Sequence, residues 1–339
     1  MMRRWLLWTL LLPLFCAGFG VGARAQADLG SCQVTKTDID FGKNIDILKG
    51  VVIDGVGSVT VSCTLTDKNT SKVLVCIGAS NTVSTPFITG TDASNKGAPL
   101  NYQIYTSANH DAALGMASSP NAIRALITSN NAALSVTKYF YAQIFPNQKS
   151  SPVGGYKGSF SPDVKYLIFK TNVAAQPECD TAANMTSLMA QLNVTAGITA
   201  QCSISNIRDM VFPAQKIFTQ DVNDVQPAQF TVICTTNAPY AIGLDDGLNA
   251  SKGQCSSASQ RCMVSKQNAA HRIDYDLYHL SERSLRWGAT DPLAGSPTGK
   301  PRNGKSDGET ITVFGKIPKP TPSPAPGEYS DTITVTVTY

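Results

Sequence analysis

The chain repeats itself, and the repeat limits what it can fold into. Cys32 is followed by Phe41-Gly42, and Cys202 by Phe212-Pro213. A second cysteine comes 31 residues on in the first half, at Cys63, and 32 on in the second, at Cys234. Each closes an alternating stretch, with Val59, Val61 and Cys63 on one face, matched by Phe230, Val232 and Cys234. Tyr102 and Tyr105 then answer to Tyr275 and Tyr278, Ile144 to Ile317, and Tyr156 to Tyr329. Counted from the first cysteine of each half, Tyr275, Ile317 and Tyr329 each lie three residues further on than their counterparts. A constant offset of this kind marks a tandem duplication. Each copy reads as short strands with turn signals between them, the pattern of a β-sandwich.

The last residues are the most regular. Ile333, Val335, Val337 and Tyr339 share one face, and Thr332, Thr334, Thr336 and Thr338 the other. Period two with β-branched residues is a strand signal. The outer edge of such a strand invites another strand, so Ile333, Val335 and Val337 are the expected acceptor edge. A second alternating run lies between the copies: Leu188, Ala190, Leu192, Val194, Ala196 and Ile198 against Met189, Gln191, Asn193, Thr195 and Gly197. A plain linker has no use for this spacing unless one face is buried. Helix competes for 184–192, but the continuation through 194–199 favours a strand.

Arg3 and Arg4, an apolar stretch from Trp5 to Phe15 and Ala23-Arg24-Ala25 read as an export signal over 1–25. Bulky Phe15 argues against a lipid anchor on Cys16. No later apolar run approaches the roughly 18 residues needed to span a membrane. Without Arg3, Arg4 and Arg24 the net charge falls from +4 to +1, which is no footprint for nucleic acid or anionic lipid. Eight cysteines remain, an even number in an exported chain, and argue for disulfides. Equivalent positions in the two copies imply Cys32–Cys63 and Cys202–Cys234. Cys255 and Cys262 are close enough for a local clip, and Cys76–Cys179 follows by elimination. No C-x-x-C occurs, and His110, His271 and His279 are not spaced with the cysteines as zinc ligands. Asp245-Asp246-Gly247 reads as a turn because the remaining calcium-loop ligands are absent. With no nucleophile elbow, phosphate loop or zinc-hydrolase motif, an enzyme is not expected, nor a metal or cofactor.

Several of these residues together resemble a known family. Cys202 with Phe212, the stretch 232–234, Tyr275 and Tyr278, Trp287-Gly288, 312–318 and 327–339 are similar to the spore coat protein U domain. That domain is the pilin module of archaic, Csu-type chaperone–usher pili. The likeness is strong over 198–339 and weaker over 28–171, where Trp-Gly is missing and 155–158 replaces the Asp-Thr run. A two-module chain with a divergent first module is similar to the tip adhesin of such pili. The resemblance implies two immunoglobulin-like sandwiches, the second lacking its final strand. It also implies a periplasmic chaperone, an outer-membrane usher and a neighbouring pilin as partners, with assembly by donor-strand complementation. Localisation would be the cell-surface pilus tip, reached through the periplasm. On this reading 26–171 is an adhesin-like module, 172–197 a linker with a candidate donor strand, and 198–339 the pilin domain. Leu188, Leu192 and Val194 are the candidate donor face. That strand is expected to complete the first module in cis, with or instead of 164–169.

Attachment to an abiotic or host surface, and biofilm formation with it, would fall to the first module. Two segments without regular alternation, 77–99 and 107–137, carry apolar residues amid small polar ones. Val83, Pro86, Phe87 and Ile88 lie in the first, and Leu114, Met116, Ile123, Leu126 and Ile127 in the second. Pro152 and Val153 in 146–155 are a third candidate. Exposed apolar side chains at loop tips signal contact with something. The competing view packs them over the sandwich ends. In a simple meander the three segments meet only if a strand hides within 107–137, for which 123–128 is the candidate. A lectin-like tip using His110, Asp111 and tyrosines, and a minor structural subunit, are the alternatives.

Overall fold

The computed structural model describes residues 29–80, 86–128, 134–173, 175–250, 261–288 and 301–339. The first module is built from β1 (Gly30–Asp40), β2 (Ile53–Leu65), β3 (Ser71–Ala79), β4 (Phe87–Gly90), β5 (Pro99–Tyr105), β6 (Ile123–Ile127), β7 (Ser135–Ile144), β8 (Gly154–Phe160), β9 (Pro162–Lys170), β10 (Thr186–Met189) and β11 (Leu192–Ile198). The second is built from β12 (Cys202–Arg208), β13 (Val222–Asn223), β14 (Ala228–Cys234), β15 (Pro239–Leu244), β16 (Arg261–Ser265), β17 (Arg272–Tyr278), β18 (Arg302–Asn303), β19 (Glu309–Ile317), β20 (Tyr329–Ser330) and β21 (Val335–Thr338). No helix of the described residues is long and apolar enough to cross a membrane.

Alternation decides the faces. In β2, Val59, Val61, Cys63 and Leu65 turn inward, while Ser62 and Thr64 face solvent, as a period of two requires. One sheet runs β2, β7, β5, β4, β8, β11 and closes through β1, which meets β11 and β2. The other runs β10, β9, β3, β6. Val59, Val61, Phe140 and Leu100 from the first sheet pack against Val73, Val75, Ile77 and Val164 from the second. β3 is buried on both faces, because Leu74 and Cys76 on its outer side are covered by Phe169 and the Cys179 loop. The segment 164–169 is therefore part of β9, an interior strand.

The second module repeats this order strand for strand. Its large sheet runs β12, β14, β19, β17, β16, β20, and its small sheet β18, β15, β21. These stand for β1, β2, β7, β5, β4, β8 and for β6, β3, β9. Leu277 pairs with Gly315 as Ile104 pairs with Ala142, so the register is shared. β10 and β11 have no counterpart among the described residues. The protein is all-β, two tandem immunoglobulin-like sandwiches, and among the described residues the second has no counterpart of the first's last strand.

Bridges join Cys32 to Cys63, Cys202 to Cys234 and Cys76 to Cys179. The first two staple the opening strand pair of each module and close loops worth about 3 kcal/mol by chain entropy. The third fastens the stretch after β9 to the outside of the small sheet. Cys262 is disulfide-bonded, and Cys255 lies outside the described residues.

The second module buries the Arg261 charge completely. The Arg261 guanidinium donates to the carbonyls of Leu244, Asp245 and Trp287 and to the Asp276 carboxylate. Trp287 in turn donates from Nε1 to the Ile242 carbonyl and stacks on His279 at 3.7 Å. Truncating one partner of a buried pair strands the other. Arg261→Ala should therefore lower the unfolding free energy of the second module by about 3–5 kcal/mol, read by urea denaturation, with the first module's transition unmoved.

Candidate functional site

Between the modules the chain forms a strand that belongs to the first. Thr186 pairs with Tyr166, Met189 with Asp163, Leu192 with Phe160 and Ile198 with Gly154. The two partners' numbers have the same sum throughout, so β10 and β11 continue one register along β9 and β8. Both chains pass from one sheet to the other at 190–191 and 161–162. The ladder runs antiparallel over 186–198 and 154–166. Leu192, Val194, Ala196 and Ile198 are buried in the core, and Leu188 and Ala190 lean on it. The outward Met189 is almost fully exposed.

The far edge of β11 is held by β1. The two strands run parallel, with Ile39 opposite Val194 and Asp40 opposite Thr195. The Phe41 amide donates to the Thr195 carbonyl, Gly197 to Gly42, Ile45 to Gly197 and Thr199 to Ile45. The approach is close enough that a Cβ on Gly197 would sit 2.8 Å from the Lys43 carbonyl oxygen. Leu192 uses the space a Gly57 side chain would fill, 3.0 Å from its would-be Cβ. Two carboxylates latch the strand from outside. Asp38 accepts from the Asn193 amide and from its Nδ2, both at 2.8 Å. Asp40 accepts from the Thr195 hydroxyl at 3.0 Å. Hydrogen bonds from Lys36 and then Asn193 hold the Asp38 carboxyl down at about 2.

In the second module the corresponding place is open. Residues 327–339 answer to 154–166, beginning with a glycine at positive φ in both, Gly154 and Gly327. The Tyr156 hydroxyl donates to the Pro152 carbonyl at 2.7 Å, and the Tyr329 hydroxyl to Ala325 at the same distance. On its inner side the stretch pairs with β16 and β15. Among the described residues nothing pairs its outer side, and no strand joins β12 as β11 joins β1. Burial records the difference. Ile39, Phe41, Tyr156, Val164 and Tyr166 are buried, while Met210, Phe212, Tyr329 and Val337 are half-exposed and Tyr339 more so. Burial holds the Tyr156 hydroxyl up at about 12, and the same cause raises Tyr329. Ile333, Val335 and Val337 all lie half-exposed along this edge. The open position also takes in Met210, Phe212 and Tyr329, which alternation in the last eight residues did not single out.

The expected surface-binding residues divide. Ile88, Leu114 and Ile127 are core residues, which corrects the expectation that they face solvent. Short strands β4 and β6 run through these segments and turn Ile88 and Ile127 inward, while Leu114 is buried in a loop where its amide donates to the Ile104 carbonyl. Ile123 leans on the same core, and Leu126 packs with Leu74 and Phe169 on the outer side of the small sheet. Val153 sits at the seam between modules, where its amide donates to the Thr236 carbonyl, while Asn237 Nδ2 donates to the Ser94 carbonyl at 2.8 Å. Phe87 and Met116 are exposed, at 55 % and 44 %. They share the rim of a cleft of about 510 Å³ with Ser80, Pro86 and Phe160. Val83 lies outside the described residues. A strand does hide within 107–137, and 146–155 meets 77–99 at the end that faces the second module, where Ser94 Oγ donates to the Val153 carbonyl and the Gly155 amide to Asp92.

The chain is thus two sandwiches of one kind, with an added strand seated in the first and the matching place open in the second among the described residues. The chain belongs to the Spore Coat Protein U domain family, which matches it twice, over residues 19–161 and 188–336. The second match takes in most of the strand that completes the first module. Among solved structures the chain is similar to the CupB6 tip adhesin from Pseudomonas aeruginosa, at 11 % identity and a TM-score of 0.37, over 91 % of this chain and 94 % of that one. It is similar to AggA, the major subunit of aggregative adherence fimbriae type I from Escherichia coli, at 13 % identity and 0.27, over 50 % and 95 %. A chaperone–tip adhesin complex of CFA/I fimbriae overlaps at 11 % identity and 0.33, over 81 % and 86 %. These overlaps are too loose to bear on function. No curated protein matches the chain.

Two outcomes are expected of the seated strand. Leu192→Ala should destabilise the first module by about 2–5 kcal/mol, measured by denaturant unfolding. Asp38 titrates lower in the folded state than its ordinary 3.8. Its contribution is therefore full above about pH 4 and is lost as pH falls towards 2. The first module's melting temperature should drop across that window, and drop less in Asp38→Asn.

Proposed function

We propose that the chain is a pilus subunit of the tip-adhesin type, assembled by donor-strand complementation. The observation that carries this reading is the single position filled in one copy and open in the other. Strand 186–198 is covalently tied behind the first module and completes it without a partner. The second module takes a strand of the same kind from another chain. A periplasmic chaperone holds the place first, and the extension of a neighbouring pilin at an outer-membrane usher then takes it over. The order fits the family match, whose second unit starts at 188 and so carries its own leading strand into the module before it. Export through the periplasm to a surface fibre follows from this assembly route.

Surface attachment falls to the first module. Phe87 and Met116 at the rim of the cleft supply apolar contact, worth roughly 1.5–3 kcal/mol per side chain fully covered. Several subunits in a fibre bundle multiply that contact and support biofilm formation on abiotic or host surfaces. The role is binding, with no catalytic step.

The test supplies the second module with what it lacks. A flexible linker and a second copy of 186–198 are placed after Tyr339 in the full chain. Burying the apolar side chains of the added strand should raise the second module's calorimetric melting temperature by more than about 10 °C. The first module's transition should stay in place. An unchanged second transition would falsify the proposed strand acceptance.

A further inference from the structure

The two modules carry one surface patch in two states. After β5 and after β17 the chain forms the same loop. The Thr106 amide donates to Ala112 as His279 donates to Leu285, and His110 donates to Ser107 as Arg283 donates to Leu280. His110 and Arg283 share the same left-handed backbone, at φ 56. The two residues therefore occupy one place. In the second module that place is closed by the protein's own cations. The Arg283 guanidinium lies 5.7 Å from the centre of the Phe314 ring and pairs with Asp224 at 2.6 Å. Lys316 Nζ lies 5.8 Å from the centre of the Tyr278 ring.

In the first module the rings remain and the cations are gone. Tyr105 stands for Tyr278 and Tyr141 for Phe314, paired across β5 and β7. Gln143 replaces Lys316, and His110 replaces Arg283. Tyr139, where the second module has Thr312, adds a third ring at 52 % exposure. Asp54, opposite Gln143 as Asn223 is opposite Lys316, brings a carboxylate to the edge that the second module does not have at that place, its side chain 60 % exposed. It accepts from Gln143 Nε2 at 3.0 Å and lies 3.7 Å from His110 Nε2. Among the described residues no lysine or arginine stands over Tyr105, Tyr139 or Tyr141.

We propose that this outer sheet face of the first module binds a polypeptide partner through an arginine or lysine side chain. The cation lies on the face of Tyr141, beside Tyr105, whose ring already meets the His110 imidazole in a T-shaped contact at 4.9 Å. The Tyr141 ring quadrupole attracts the cation, and Asp54 meets its charge. Charge complementarity favours this occupant over a neutral sugar. Two positive groups are absent from the patch while its rings remain, and Asp54 adds a carboxylate where the second module has Asn223. The second module already shows how the same scaffold seats such a group. This site is separate from the open strand position, so it stands or falls independently of the pilus reading.

The test uses the full chain, with hexa-arginine and hexa-lysine peptides as probes. Hexa-glutamate and maltohexaose are the controls. At the +1 that remains without Arg3, Arg4 and Arg24, the chain's net charge gives a polycation no general attraction. The basic peptides should bind, and added salt should weaken them. Tyr141→Ala and Asp54→Asn should each weaken binding by about tenfold. The double variant His110→Arg/Gln143→Lys restores the second module's own cations and should abolish binding, with thermal unfolding unchanged as the check on folding. Failure of both basic peptides to bind, or undiminished binding by the double variant, overturns the proposal. So does maltohexaose binding that the basic peptides do not compete, which would make the face a sugar platform.

Discussion

One backbone ladder organises the molecule. Over 186–198 and 154–166 two chains exchange hydrogen bonds in a single register while both cross from one sheet to the other. The ladder settles two problems together. It satisfies the outer edge of the strand that joins the two sheets, and it fills the core between them with Leu192, Val194, Ala196 and Ile198. An edge strand left bare presents unpaired amides and carbonyls, and a core left without its fourth wall exposes apolar area. Both costs fall on the second module, where residues 327–339 present the same strand without that partner.

Duplication makes the comparison internal. The two copies share strand order, register, the opening disulfide, the glycine at Gly154 and Gly327 and the tyrosine bond to the carbonyl four residues before it. Against that common background, differences in burial have a local cause. Phe41 and Phe212 sit at matched places, as do Tyr156 and Tyr329, and in each pair the second is less buried. The seated strand also depends on polar contacts that the open site awaits. Asp38 and Asp40 latch Asn193 and Thr195 from the solvent side. In the second module Asp209, at the position of Asp38, is exposed at the edge of the open site.

Much of this was legible in the sequence because period-two alternation and repeat spacing are backbone properties. The strand character found over 186–189, 192–198 and 335–338, and the pairing of Cys32 with Cys63 and Cys202 with Cys234, need only those signals. The side chains of 77–137 were harder. Ile88 lies in a strand of four residues, too short for alternation to declare itself, and Leu114 is buried in a loop whose partner is the backbone of Ile104. Val153 looked like a tip residue because the sequence does not show that the end of the module carrying it meets Thr236. The carboxylate latch left no signal either, since Asp38 and Asn193 are distant in the chain and ordinary in composition.

Amide hydrogen exchange on the full chain compares the two copies of the same strand in one experiment. The account predicts slow exchange across 154–166, where both edges are paired, and exchange faster by orders of magnitude at the outward-pointing amides of 327–339. Equal protection of the two stretches in the isolated chain would contradict it, because the second sandwich would then already hold the strand it is said to lack.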